Sequence, residues 1–149
     1  MSLTERQWQF IRDFSMVDAA MPRAMGLLLG YLLVCEPKEQ TAPVLQQELG
    51  LSAGSVSTMM SMLVDSGLVS KVKKPGDRKY YYMVGEGSWQ RTVEMRLASI
   101  KKVRALVAKG KAASPGNYRM KEVFQIYDFL VDDLEKMITR LNDQKLRVK

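Results

Sequence analysis

The stretch TAPVLQQELGLSAGSVSTMMSMLVDSGLVSKVKKPGDRKYYYMV, residues 41–84, decides the fold. Its first part predicts a helix over PVLQQELG, because Thr41 can cap that helix and Gly50 can supply the left-handed residue that ends it. Ser52 can then cap a second helix, which we expect over residues 53–66. One side of this second helix is apolar at helical spacing and is predicted to be buried; it comprises Val56, Met59, Met60 and Leu63.

A β-hairpin is predicted directly after the second helix. Gly67 ends the helix, and Val69 and Val72 follow among basic residues in a first strand. Pro75-Gly76 suits a type II turn, and the three tyrosines at 80–82 favour a return strand. Helix, turn, helix and hairpin in this order are typical of a winged helix-turn-helix, which places its second helix in the DNA major groove. We therefore predict a mainly α fold with a small β-hairpin.

Further helices are predicted on both sides of this stretch. A helix over 4–20 begins at the cap residue Thr4, and a helix over 22–35 is apolar nearly all round, as a central core helix would be. Two more helices are expected over 88–110 and from 118 almost to residue 147. At 149 residues the chain fits one domain. Within it we assign 21–87 to a DNA-binding lobe and 4–20 and 88–147 to helical dimerisation arms.

The last helix carries an apolar seam at alternating spacings of four and three residues. This spacing is typical of a helix that packs against a partner helix. We interpret the seam as part of a homodimer interface; the alternative is a helix packed back on its own chain. The seam residues are Val123, Tyr127, Leu130, Leu134, Met137 and Leu141.

Charge and composition limit the classes of function. The formal net charge is +7, and residues 101–149 carry twelve Lys/Arg against six Asp/Glu, whereas residues 1–50 carry four against six. The chain has no His, which excludes His-based triads and His-containing zinc sites. Cys35 is the single cysteine, so an intrachain disulfide is excluded. The first residues show no signal pattern, and the longest apolar run is far below the roughly 20 residues that span a bilayer. We expect a cytoplasmic protein without a membrane segment, metal or cofactor.

The candidate DNA-binding residues lie on the second helix and on the hairpin. The outer side of the helix is small and polar, so the backbone can approach the groove floor and hydroxyls can contact phosphates or base edges. The helix holds no Lys or Arg, whereas the hairpin holds five between Lys71 and Lys79, against Asp77 alone. Such a wing can neutralise phosphates and enter a minor groove. The predicted contacts are Ser52, Gly54, Ser55, Ser57, Thr58, Ser61, Lys73, Lys74, Arg78 and Lys79.

Three blocks of residues 20–90 resemble the MarR-type winged helix regulators, in particular the branch of the glycine-betaine synthesis repressor (GbsR). The first is MPRAMG at 21–26 before the leucine-rich helix. The second is LGLSAGSVS at 49–57 with GLV at 67–69, and the third is GDRK at 76–79 with Tyr82 and Trp89. The flanking helices agree only in layout. The chain departs from the branch in two places. Ala53 stands where a basic residue is common, which weakens a phosphate contact. Lys79 stands where Arg is common, which weakens forked hydrogen bonding.

The resemblance implies a homodimer that binds double-stranded DNA at a pseudo-palindromic operator, usually as a repressor released by a small ligand. Aromatic residues near the expected ligand cleft are Trp8, Tyr31, Trp89, Tyr118 and Tyr127; core packing is the alternative that we favour for them. We also expect Cys35 to be an inert core residue, since no basic neighbour stabilises its thiolate. A winged helix that binds protein instead of DNA is the competing hypothesis, because its second helix lacks cations. No constellation of residues indicates an enzyme.

Overall fold

The computed structural model describes residues 2–148, with side chains through residue 145. This part of the chain contains six helices and one antiparallel hairpin, and it divides into two compact units, Met1–Trp89 and Gln90–Lys149. The elements are α1 (Glu5–Met16), α2 (Arg23–Val34), α3 (Ala42–Leu49), α4 (Ala53–Asp65), β1 (Ser70–Lys73), β2 (Tyr80–Met83), α5 (Ser88–Ala113) and α6 (Tyr118–Val148). The predicted fold class, mainly α with a small β-hairpin, is confirmed.

The helix α1 begins where the sequence indicates but ends earlier. Thr4 and Gln7 form a reciprocal cap, in which the Gln7 amide donates to Thr4 Oγ1 and the Thr4 amide donates to Gln7 Oε1. The prediction that this helix reaches residue 20 is wrong. The Asp18 carboxylate accepts the amide of Ala20 at 2.8 Å, and this local turn competes with a further helical turn.

The helix α2 is the centre of the first unit. Its residues 26–32 are buried, and α1 crosses it at very short range over Gly26 and Gly30. A Cβ at Gly26 would lie 2.6 Å from Cα of Ser15, so only glycine permits this crossing. The core around α2 also receives side chains from α1, α3, α4 and the residue before β1, namely Ile11, Leu45, Val56, Met60, Leu63 and Val69.

The helix-turn-helix forms as predicted, with one difference at its first cap. Gly50 has φ +62° and ends α3, and Ser52 caps α4. Thr41 occupies the cap position of α3, but its side chain makes no capping hydrogen bond. The strands β1 and β2 pair in the register Ser70 with Met83 through Lys73 with Tyr80.

The second unit consists of α5 from Gln90 onward and of α6, and these two helices run antiparallel. The turn after α5 begins three residues later than predicted, because the helix continues through Gly110 to Ala113. There the absent glycine side chain leaves room for Met120, whose Cε would lie 2.6 Å from an added Cβ. Asn117 caps α6 by accepting the amides of Arg119 and Met120.

Two expectations concern the chain beyond its single elements: its division into a lobe and arms, and the absence of a membrane segment. The assignment of 21–87 to a DNA-binding lobe and of 4–20 and 88–147 to dimerisation arms stays a prediction, although α1 packs on α2 inside the first unit. Within residues 2–148, every helix is too short or too polar to cross a membrane.

Candidate nucleic-acid interface

The helix α4 presents a small polar side to solvent because its apolar side faces the core. Val56, Met60 and Leu63 are buried and Met59 is partly buried, as their spacing predicted. The opposite side is exposed, and the space around Gly54 is open, with no atom within 4 Å of an added Cβ. A flat, accessible side of this kind allows close approach to a groove floor. The exposed residues of α4 are Ala53, Gly54, Ser57, Thr58, Ser61, Met62 and Asp65.

Two of the predicted contact residues on α4 form its cap. Ser52 Oγ accepts the amide of Ser55 at 3.1 Å and donates its proton to Ser55 Oγ at 3.0 Å. These bonds satisfy a helix terminus that would otherwise leave an amide unpaired. Ser52 is exposed, and Ser55 is partly buried. Both hydroxyls therefore support the start of the helix, and a contact with DNA is an additional role that stays a prediction.

The tip of the hairpin is ordered by a tight turn and by Asp77. The Asp77 amide donates to the Lys74 carbonyl at 3.1 Å, and Gly76 has φ +77°, as a type II turn requires. The Asp77 carboxylate accepts the Tyr81 hydroxyl at 2.6 Å and the Lys79 amide at 2.9 Å. These hydrogen bonds hold the pKa of Asp77 below its ordinary value, and the bond to Asp77 raises the pKa of Tyr81. The single acidic residue of the wing thus fixes the turn.

Tyrosine rings lie beneath the lysines of the wing. The Nζ atoms of Lys71 and Lys73 lie 4.3 and 4.8 Å from the centroid of the Tyr80 ring, and Nζ of Lys74 lies 4.4 Å from that of Tyr81. At these distances the ring face attracts an ammonium group without neutralising its charge. The rings therefore restrict the lysine side chains while leaving their positive charge available.

Arg78 and Lys79 complete the positive tip. Both are exposed, as are Lys71, Lys73 and Lys74. Among the residues whose side chains the structure describes, no ion pair includes a cation of the wing. The structure thus brings together the four predicted wing contacts, Lys73, Lys74, Arg78 and Lys79, as an exposed cluster. Such a cluster can neutralise phosphate groups and release their counterions.

The wing and α4 face each other across a groove. The residues lining this groove of about 280 Å³ include Ser57 and Ser61 of α4, together with Lys71 and Tyr82 of the hairpin. A short bridge holds the base of the hairpin: Gln40 and Tyr82 exchange backbone hydrogen bonds of 2.9 and 2.7 Å. The predicted hydroxyls of α4 therefore share a groove with Lys71 of the wing, whereas Arg78 and Lys79 line a separate cavity with the start of α3.

Sequence reasoning missed the residues that support the wing. The sequence indicates Asp77 only as a negative charge, and Tyr80 and Tyr81 only as strand formers. The signal for Asp77 is local, because an aspartate two residues before Lys79 can accept that residue's amide. The positions of Tyr80 and Gln40 depend on strand register and on tertiary packing, which the sequence does not show directly.

The predicted dimerisation residues of α6 fall into two groups that differ in solvent exposure. Tyr127, Leu134, Met137 and Leu141 are partly buried, whereas Val123 and Leu130 are 39% and 40% exposed. The antiparallel contact with α5 extends from Gln90, whose Nε2 donates to Asn142 Oδ1 at 2.7 Å, through the ion pair of Lys101 with Glu135 at 2.6 Å. Its other end is Lys111, whose Nζ lies 4.6 Å from the Phe124 ring centroid. Leu97 and Val131 are the buried hydrophobic residues of this helical pair within the described side chains.

The residues considered for sensing have different surroundings. Trp8 and Tyr31 have ring centroids 5.8 Å apart and line a cavity of about 400 Å³ with Glu48. Trp89 and Tyr118 are 46% and 73% exposed, and Tyr127 is partly buried.

Cys35 is buried in the core of the first unit. Burial raises the pKa of its thiol to about 11. The neutral thiol therefore predominates near neutral pH, which disfavours a role for Cys35 as a reactive sensor.

Comparison with known proteins finds transcriptional regulators. No protein-family model matches the chain. The HTH-type transcriptional regulator MmpR5 of Mycobacterium tuberculosis is 25% identical over 130 residues, which are 84% of this chain and 79% of that protein. A crystal structure of a transcriptional regulator superposes with a TM-score of 0.81 at 23% identity, covering 93% of this chain and 99% of that chain. The structure of NMB1585, a MarR family regulator from Neisseria meningitidis, superposes with a TM-score of 0.40 at 19% identity, covering 80% of each chain. The match at 0.81 shows that the chain has the fold of a known transcriptional regulator.

Proposed function

We propose that the protein is a dimeric, sequence-specific DNA-binding transcription regulator that acts as a repressor. The observation that carries this proposal is the exposed wing of five cations, of which Lys71 lines a groove with Ser57 and Ser61 on the small polar side of α4. In this arrangement, α4 enters the major groove and the wing contacts the minor groove and its phosphates. MmpR5 and the structural neighbour with the TM-score of 0.81 are transcriptional regulators, which agrees with a regulatory role.

The family and branch are part of the same proposal. We assign the chain to the MarR type, and to the branch of the glycine-betaine synthesis repressor, from the three sequence blocks at 21–26, 49–69 and 76–89. The fold agrees with this assignment. The type also implies an effector, a small molecule that releases DNA, and we further propose a cytoplasmic location. The effector is tested by loss of a preformed DNA complex when a candidate small molecule is added.

The helical pair α5–α6 supports the dimer. The pair contains 57 residues in its two helices, yet Leu97 and Val131 are its buried hydrophobic residues within the described side chains. Two helices with so small a common core gain little from packing on each other alone. Several large apolar side chains of the pair are also exposed, and a second copy of the chain would cover them. They are Met95, Val103, Leu106, Val123, Ile126, Phe129 and Leu130.

The test of DNA binding is the salt dependence of affinity. We expect the affinity for a genomic DNA fragment that the purified protein retains to fall steeply between low and physiological salt. Each neutralised phosphate adds about 0.9 to the slope with which the logarithm of the binding constant falls against the logarithm of the salt concentration. Replacing both Arg78 and Lys79 by Ala is expected to lower that slope by about two per protomer if each contacts one phosphate. Fluorescence anisotropy over a salt series measures it.

The control for the wing variant removes two exposed cations elsewhere. Lys102→Ala with Lys109→Ala changes the net charge equally, and both residues are exposed on α5. The slope of this control should stay near that of the parent protein. Equal slopes for both variants would refute the role of the wing, and absence of binding to any genomic fragment at low salt would refute the function.

The competing function, a winged helix that binds another protein, makes the opposite prediction. It is favoured by the absence of cations on α4, since the strongest direct contact with guanine comes from Arg. A protein partner that is retained equally by the parent and by the Arg78→Ala, Lys79→Ala variant, without DNA binding by either, would support it.

A further inference from the structure

The exposed side of α4 lacks the side chains that make two-pronged hydrogen bonds to bases. Guanine is commonly read by Arg or Lys and adenine by Asn or Gln. None of these residue types occurs in α4, whose sequence is AGSVSTMMSMLVD. Any base readout by this helix must therefore use hydroxyl groups, the Asp65 carboxylate or apolar contact.

The exposed residues of α4 form two strips with different surroundings. Ser57 and Ser61 line the groove that faces Lys71, and Asp65 lines it too, so this strip presents hydroxyls beside one charge of each sign. Thr58 and Met62 are exposed but do not line that groove. They are four residues apart on the helix and are therefore neighbours on its surface.

Thr58 and Met62 are both exposed, and each of the two side chains ends in a methyl group. Met62 is 49% exposed, whereas Met60 of the same helix is 1% exposed and belongs to the core. The core therefore depends on Met60 and does not explain an apolar side chain at 62. The thioether of Met62 is flexible and can adapt to an irregular apolar surface.

The major groove offers one apolar group to such a strip, the C5-methyl group of thymine. We infer that Thr58 and Met62 determine specificity by contacting thymine methyl groups, so that the operator carries thymine in the part of each half-site that α4 faces. This inference rests on the proposed DNA binding and names the base that the helix reads. Each methyl group removed from water is expected to contribute about fourfold in affinity.

The experiment replaces thymine by uracil in the operator. DNA that the purified protein retains from a random library is first sequenced, and the consensus duplex is then synthesised with deoxyuridine at single thymine positions. Uracil pairs as thymine does and keeps the minor-groove acceptor, but it lacks the methyl group. At one or more positions in each half-site the dissociation constant of the parent protein should rise about fourfold.

Two variants connect this effect to the proposed residues. Thr58→Ser removes a methyl group and keeps the hydroxyl, and Met62→Ala removes the thioether; both sites are exposed, so the fold should persist. In each variant the ratio of dissociation constants for uracil and thymine DNA should approach one at the position that the residue contacts. Ser61→Ala is the control: it removes a hydroxyl and should keep the parent ratio.

The outcomes separate this inference from the function on which it rests. If the protein retains no DNA from the library, the proposed function fails. If it binds a defined sequence with equal affinity for thymine and uracil duplexes, the function stands and the inference is overturned. A uracil effect of the same size in the parent protein, Thr58→Ser and Met62→Ala would also overturn it, because the methyl group would then act through the shape of the DNA.

Discussion

A single residue, Asp77, orders the turn of the wing through the hydrogen bonds of its carboxylate. Its carboxylate lies between two donors, the Tyr81 hydroxyl and the Lys79 amide, while five cations lie within the same nine residues. Because the carboxylate is bonded to neutral groups, it orders the turn without forming an ion pair with the cations. A negative charge thus helps to present a positive surface.

The pKa of Asp77 tests this arrangement of the wing. Hydrogen bonding lowers the pKa of Asp77 in the folded wing. The ionised carboxylate therefore stabilises the folded wing at every pH above the ordinary pKa of an aspartate. This contribution is lost as the pH falls through the lowered pKa. Tyr81→Phe removes the largest cause of the shift and should raise the pKa of Asp77. Carboxyl-carbon NMR titration measures it, with Tyr80→Phe as the control. An unchanged pKa in Tyr81→Phe would show that the hydroxyl is not the cause.

At the scale of elements, the crossing of α1 over α2 depends on one glycine. Gly26→Ala would place Cβ 2.6 Å from Cα of Ser15, which is backbone and can move only with its helix. Overpacking of this kind costs about 1–3 kcal/mol, more than the roughly 0.5–1 kcal/mol that Ala gains over Gly inside a helix. We therefore predict a lower free energy of unfolding for Gly26→Ala by urea denaturation.

The control for this prediction is also a glycine in a helix. Gly54 of α4 has open space around it, so Gly54→Ala should leave stability unchanged or raise it by up to about 1 kcal/mol. Equal effects of the two substitutions would mean that helix propensity, and not the close crossing, decides both.

The elements also show which kinds of feature the sequence predicts. Gly50, Ser52 and Pro75-Gly76 were placed correctly because each acts through its own backbone conformation or through an amide a few residues away. The end of α1 was missed because the Asp18 side chain competes with the helix. The exposure of α4 was predictable from one apolar stripe, whereas the placement of Tyr80 beneath two lysines required the strand register.

For the whole molecule, the apolar spacing of α6 is insufficient to define an interface. The pattern from Val123 to Leu141 is continuous in sequence, yet four of its six residues are partly buried and two are exposed. Which residues face α5 depends on the rotation of α6 about its axis, and a repeat of three and four does not fix that rotation. The exposed residues Val123 and Leu130 therefore test self-association more directly than the four partly buried residues do.

Leu130→Lys tests whether a second copy of the chain covers α6. Leu130 is 40% exposed, so the helical pair should tolerate a lysine there, whereas an apolar interface would bury an unpaired charge at a cost of several kcal/mol. Light scattering should show the mass of one chain for this variant and of two chains for Gln125→Lys, an equal charge change at an exposed polar site of α6. A dimeric Leu130→Lys protein would place the interface elsewhere. Because a dimer binds two half-sites at once, the monomeric variant should also lose affinity for the full operator while keeping its affinity for an isolated half-site.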